Sequence, residues 1–285
     1  MFKFFTYFIQ SIIIYLLFLI GKLIGINLSR SLFSKIFEKF ASKFRSKKII
    51  EKNLEIFSKN LTTEKKNKII SNMWKNYGKT FIEYIFLNRF KKDVINIEIE
   101  GEDNLKKIVE NKKPVIFVSG HFANYELMSM EIVKKKIKLA TIYRPLNNYF
   151  LNPMMEYLRR KYVCKNQIKK GVGGVREAID YIKKDYSVAL MIDQRVSEGE
   201  KINFFGKPAL TTTLPAQLAI KFNLPIIPVF IERKKNDEFK IKFYNQIDVR
   251  NFKDKFELTE KLNKILEEMI IYKPDQWIWS HNRWK

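Results

Sequence analysis

The stretch Pro114–Glu126, PVIFVSGHFANYE, constrains this chain more than any other. Pro114–Val118 is wholly apolar and rich in β-branched residues, which predicts a central strand buried on both faces. Ser119-Gly120 ends it. Asn124 is placed to cap a helix that runs through Glu126, Leu127, Met130 and Ile132. His121 then falls in the turn between a strand's carboxyl end and a helix start, where open α/β sheets gather their sites.

His121 and Glu126 are five positions apart. On one continuous helix they would point about 140° apart. They meet only if His121 lies in the turn and Glu126 in the first helical turn, and the strand–Ser-Gly–His order supplies that arrangement. A carboxylate on one imidazole nitrogen sets the tautomer and strengthens the other nitrogen as a base. Such a pair can deprotonate a hydroxyl. The blander alternative is a histidine capping the helix, with Glu126 complementing the helix dipole.

The rest of the chain alternates strands with helices. Strands are predicted at Val94–Glu100, Lys138–Tyr143, Ser187–Ile192, Ile226–Ile231 and Phe239–Tyr244. Helices are predicted at Glu102–Glu110, Tyr149–Lys161, Arg176–Lys184, Pro215–Phe222 and Leu258–Tyr272. This is the pattern of an α/β fold with a mixed, mostly parallel sheet flanked by helices. Leu28–Phe90 reads as a helical lead-in. The segment after Gln194 reads as a long loop closing at Thr211–Thr213. Gly171–Gly174 lacks the Lys-Ser/Thr of a phosphate loop and reads as a flexible turn.

Residues 1–26 are apolar over roughly the ~20 residues that span a bilayer. A small-x-small cleavage site does not follow, so a retained anchor is preferred to a signal peptide. The flank after it is basic, with Lys22, Arg30, Lys35, Lys39, Lys43 and Arg45. By the positive-inside rule the body, residues 27–285 read as one domain, faces the cytoplasm. A single-pass helix and a helix lying in the interface both remain open. The whole chain carries +24, from 54 basic and 30 acidic residues, which favours anionic partners. The lone Cys164 excludes an internal disulfide and a cysteine metal cluster. Neither a metal nor a cofactor is expected.

Polar residues follow three apolar strands: His121, Arg144 and Asp193. Arg144 suits a phosphate or a developing oxyanion. Asp193 is placed to hold Arg144 or an acceptor hydroxyl. Arg159 and Arg160 are candidates for an anionic headgroup. Gln194 and Asn124 join the substrate-binding candidates. Phe204-Phe205 suits an acyl wall or a membrane-facing lip. WIWSHNRWK at the end is expected in the headgroup zone or closing over the sheet, with His281 structural. The Gly-x-Ser-x-Gly of a serine hydrolase is absent.

SGHFANYEL, YRPLNN, NPMMEYLRR, MIDQ, FFGKPALTTT, LPIIPVFIER and QWIWSHNRWK occur in that order. With the N-terminal anchor, the chain resembles the bacterial lipid A biosynthesis acyltransferases, the late lauroyl/myristoyl transferases, over its whole length. The resemblance implies a glycerolipid-acyltransferase-like fold and transfer of a fatty acyl chain from acyl carrier protein. The acceptor would be a hydroxyacyl chain of a Kdo-bearing lipid A precursor. His121 would be the base and Glu126 its partner, with Arg144, Asp193 and Arg159 or Arg160 binding phosphate. Two other readings compete: an acyltransferase for glycerophospholipids or lysophospholipids, and a membrane-tethered nucleic-acid-binding protein.

Overall fold

The computed structural model describes residues 2–285. It begins with helices: α1 (Phe2–Ile24), α2 (Ile26–Phe44), α3 (Lys47–Phe57), α4 (Thr63–Glu83) and, after a 3-10 turn, the short α5 (Leu87–Lys91). The α/β body follows as β1 (Ile97–Glu100), α6 (Glu102–Asn111), β2 (Ile116–Ser119), α7 (Glu126–Lys134), β3 (Leu139–Tyr143), α8 (Asn152–Leu158), β4 (Asn166–Lys169), α9 (Val172–Ile182) and β5 (Ser187–Met191). A hairpin, β6 (Glu200–Phe204) and β7 (Lys207–Thr211), then leads into α10 (Leu214–Phe222), β8 (Ile226–Arg233), β9 (Phe239–Phe243) and α11 (Lys255–Tyr272).

The main sheet has the order β1-β9-β8-β2-β5-β3-β4. Every neighbouring pair is parallel except β8 and β9. The sheet is therefore mixed and mostly parallel, as expected. β2 is central and all four of its residues are buried. Ile116 and Val118 face one apolar layer with Val188, Leu190, Leu262 and Leu266. Phe117 faces the other with Ala189, Ile227 and Leu127. Layers on both faces explain why Ile116, Phe117 and Val118 are all apolar instead of alternating. Each large apolar side chain buried this way contributes about 1.5–3 kcal/mol.

β2 and β5 pair with Ser119 opposite Met191. Two residues further along each chain, the same register sets His121 beside Asp193. That adjacency is a product of the sheet, not of local spacing.

α2 and α4 pack tightly. A Cβ on Gly78 would stand 2.3 Å from the Phe33 carbonyl oxygen, so glycine is required mid-helix despite costing about 1 kcal/mol there. α1 leaves most of its apolar surface exposed. Over Lys3–Ile24 it is long and apolar enough to cross a membrane. Its inner side is not free: Phe18 and Ser11 are buried. The Tyr15 hydroxyl donates to the Phe150 carbonyl at 2.9 Å, and Asn148 Nδ2 donates to the Tyr7 carbonyl at 2.9 Å.

Three local expectations are corrected. The segment after Gln194 is not a plain loop but carries the β6–β7 hairpin. Phe204 is neither acyl wall nor membrane lip. It is fully buried against Trp277 and Trp284 beneath that hairpin. Gly173 and Gly174 lie in the first turns of α9 and do not form a flexible turn. A Cβ on Gly174 would stand 2.0 Å from the Lys169 carbonyl oxygen, so glycine permits close approach of helix to strand.

Candidate active site

The turn after β2 is built under constraint. Ala123 adopts φ +43°, a left-handed conformation costly for a residue with a Cβ. Its carbonyl accepts the Thr80 hydroxyl at 2.9 Å, and its N–H reaches the Gln276 carbonyl at 3.3 Å. Asn124 lies beneath and is 1% exposed. Its side chain does not cap α7 and faces neither cavity described below. It donates to Glu83 Oε2 at 3.0 Å. Glu83 is itself clamped by Arg30 at 2.6 Å and Arg233 at 2.5 Å. This corrects Asn124 from a substrate contact to a brace of the turn, because a buried carboxylate draws its amide inward.

His121 projects from this turn. Its Nδ1 stands 2.7 Å from Asp193 Oδ1, and its backbone N–H donates to Asp193 Oδ2 at 2.8 Å. The Trp277 indole N–H donates to that same Oδ2 at 2.9 Å. Asp193 is fully buried. Burial alone would raise its pKa. The charge of His121, the two hydrogen bonds from that residue and the Trp277 indole outweigh burial and hold it below the usual carboxylate value. With Nδ1 engaged by a carboxylate, Nε2 is left as the basic nitrogen.

The expected His121–Glu126 pair is therefore corrected: the carboxylate on the imidazole is that of Asp193. Glu126 Oε1 accepts the Tyr84 hydroxyl at 2.5 Å and Arg159 Nε and Nη2 at 2.9 and 2.7 Å. Its position at the start of α7 aims it at the 3-10 turn after α4 and at the π-helical segment Arg159–Val163. Asp193 likewise does not hold Arg144 or an acceptor. His121 is 20% exposed and Asp193 is not exposed at all.

His121 borders two cavities. One, of about 190 Å³, is walled by apolar side chains including Ile14 and Phe18 of α1, Phe81 of α4, Leu151 and Met155. The other, of about 410 Å³, opens over the carboxyl ends of β3, β4 and β5. It presents Arg45, Arg144, Lys170, Gln194 and Arg159. Among the described residues, no carboxylate pairs with Arg45, Arg144 or Lys170. Burial of its stem and the like charge of Arg144 lower the Lys170 amine's pKa, while Glu198 opposes them.

Arg159 is buried and borders both cavities, whereas Arg160 turns away, its Nη1 donating to the Lys165 carbonyl at 3.2 Å. Arg160 is thus corrected out of the site, since adjacent residues on a helix diverge by about 100°. His281 is structural. Its Nε2 accepts the Arg195 backbone N–H at 2.8 Å.

Sequence reasoning missed Tyr84, Tyr125, Trp277, Arg45 and Lys170. Lys170 follows β4, whose sequence NQIK carries little strand signal. Trp277 was visible only as part of an aromatic terminus. Tyr125 stands edge-on to His121, ring centroids 4.7 Å apart.

A histidine–carboxylate pair stands at the carboxyl edge of a mixed α/β sheet, between an apolar chamber and a cationic one, an arrangement suited to transfer chemistry on an amphiphile. Sequence comparison agrees. The family described as bacterial lipid A biosynthesis acyltransferase matches residues 1–285, and the chain belongs to that family. It is 24% identical over 243 residues to the lipid A biosynthesis palmitoleoyltransferase of Escherichia coli, covering 83% of this chain and 78% of that one. It is 23% identical over 248 residues to the lipid A biosynthesis lauroyltransferase of the same organism, covering 84% and 78%. Among solved structures, a 1-acyl-sn-glycerophosphate acyltransferase from Thermotoga maritima aligns with TM-score 0.42 and 16% identity, over 89% of this chain and 96% of that one. The chain is thus an acyltransferase of the lipid A biosynthesis family.

Proposed function

We propose that this enzyme moves a fatty acyl group from acyl carrier protein to a hydroxyl on an acyl chain of a Kdo-bearing lipid A precursor, at the cytoplasmic face of the inner membrane. The observation that carries this reading is the placement of His121 where the apolar and cationic cavities meet. The apolar cavity suits a fatty chain. The cationic one suits a phosphorylated headgroup. Both meet at one base.

His121 Nε2 takes the acceptor proton as the hydroxyl oxygen attacks the acyl carbonyl. Asp193 holds the imidazole in the tautomer that can do so and stabilises the imidazolium that forms. The imidazolium then returns the proton to the departing thiolate. Glu126 fixes Arg159 and Tyr84 in the wall. A thioester is already activated, so the reaction needs no cofactor. Charge of +24 across the chain supports an acidic carrier protein and a phosphorylated lipid as partners.

The test is an in vitro assay with a panel of acyl carrier protein thioesters and a tetra-acylated lipid A precursor. Lysophospholipid and glycerol-phosphate acceptors run in parallel. Transfer to the lipid A precursor alone, abolished in His121→Ala, supports the reading. Transfer only to lysophospholipid sinks the acceptor assignment. Wild-type rates in purified His121→Ala sink the base.

A further inference from the structure

Attack on an acyl carbonyl drives an electron pair onto the carbonyl oxygen, and a site that speeds the reaction needs a donor aimed at that oxygen. His121 handles the proton and Asp193 is sealed behind it. Beside them, the side-chain donors that border both chambers are Arg159, Tyr77 and Tyr125. Tyr77 packs its ring against Phe37 and Trp74 instead of against His121. Arg159 spends Nε and Nη2 on Glu126.

Tyr125 is differently placed. Its ring stands edge-on to the His121 imidazole, and the residue borders both chambers. Among the described residues, the hydroxyl's one partner is the Tyr84 oxygen at 3.3 Å. That is long against the usual ~2.7–2.8 Å for O–H···O. Tyr84 does not need it: its own proton goes to Glu126 at 2.5 Å, and its oxygen accepts Arg159 Nη2 at 3.1 Å. The contact is therefore Tyr125 donating to Tyr84 over a long distance, and that proton can turn toward a ligand at little cost.

Resting on the acyl-transfer reading, we propose that Tyr125 is a catalytic residue whose phenol donates a hydrogen bond to the acyl carbonyl oxygen as that oxygen becomes negative. The new C–O bond forms from the acceptor oxygen while its proton passes to His121. The carbonyl pair rests on the oxygen held by Tyr125. It then re-forms the C=O bond as the C–S bond breaks, and the thiolate leaves with the proton from His121. Burial and the Glu126 charge raise the phenol's pKa, so it remains a donor throughout neutral pH.

Tyr125→Phe keeps the ring on His121 and removes only the oxygen. The expected result is a kcat about 100-fold lower. KM for donor and acceptor should stay within about twofold, and the pH profile of kcat/KM should keep its limbs. A kcat within about threefold of wild type overturns the assignment, as does a change confined to KM. 3-Fluorotyrosine at position 125, a stronger donor of the same shape, should keep or raise kcat, and a loss there also overturns it. A wild-type enzyme that transfers no acyl group removes the underlying reading and this assignment with it. An active wild type beside an unimpaired Tyr125→Phe removes the assignment alone.

Discussion

Asp193 grips His121 twice: Oδ1 lies 2.7 Å from the ring Nδ1, and Oδ2 accepts the backbone N–H of the same residue at 2.8 Å. One carboxylate thus fixes both the ring and the turn that bears it. The two residues are 72 positions apart and meet because β2 and β5 are parallel neighbours in register. Trp277, from the C-terminal segment, completes the cage around Asp193.

Asp193→Asn should leave a similar shape but favour the wrong imidazole tautomer. Transfer should fall by about 10³–10⁴-fold in kcat, by analogy with the aspartate-to-asparagine change in serine protease triads. Steady-state kinetics alongside a circular dichroism melt separates this loss from unfolding. Retention of wild-type kcat would show that Asp193 does not serve the base.

Glu126→Ala tests the other carboxylate. Its loss leaves Arg159 buried without a counter-ion, which should destabilise the fold by about 3–5 kcal/mol. At a temperature where the variant stays folded, kcat should fall less than in Asp193→Asn. The reverse order would return Glu126 to the role of imidazole partner.

His281 should make stability depend on pH. Burial lowers its pKa; Asp193 opposes this, while Arg283, His121 and Arg144 add to it. The unfolded chain therefore binds a proton before the folded one does. Stability is unaffected above the unfolded value of about 6.5 and is lost as pH falls from there toward the lower folded value. His281→Gln, whose amide oxygen can still accept the Arg195 N–H, should flatten that loss. Urea midpoints in detergent at about pH 7.5 and pH 5.5 measure it. An equal drop in wild type and variant would refute the assignment.

Ile14 stands on the wall of the apolar cavity. Ile14→Trp should shorten the acyl chain accepted. Preference should fall about fourfold in kcat/KM per methylene excluded, from about 0.8 kcal/mol per buried CH₂. Competition between thioesters of graded length reads the shift. An unmoved chain-length profile would place the acyl chain elsewhere.

Arg144 is exposed in the cationic cavity with no carboxylate partner among the described residues. Arg144→Ala should raise the acceptor's KM about tenfold, the loss of one charge-assisted phosphate contact. The wild-type KM should rise with salt and the variant's less steeply. An acceptor KM unchanged by the substitution would exclude Arg144 from the headgroup site.

Much of the fold was legible because it rests on local patterns. The apolar run at Pro114–Val118, the periodic helices α4 and α11 and the long apolar α1 each signal themselves within one window of sequence. The hairpin β6–β7 did not, since its outward residues are polar and its buried Phe204 looks like an exposed loop aromatic until Trp277 and Trp284 close over it. β4 was silent for a related reason. It is an edge strand with three polar residues in four.

The same division holds for the site. The sequence by itself determined that His121 ends a central buried strand, that Arg144 and Asp193 end two others, and that an apolar helix precedes them all. Tertiary structure alone decided which carboxylate the imidazole meets. Spacing along the chain favoured Glu126, five residues on, but strand register brings Asp193 alongside while α7 carries Glu126 to Arg159. A helix or strand is specified by interactions a few residues apart. A contact between two strand ends is specified by which strands pair and in what register, and that is settled only when the whole sheet packs between its two apolar layers.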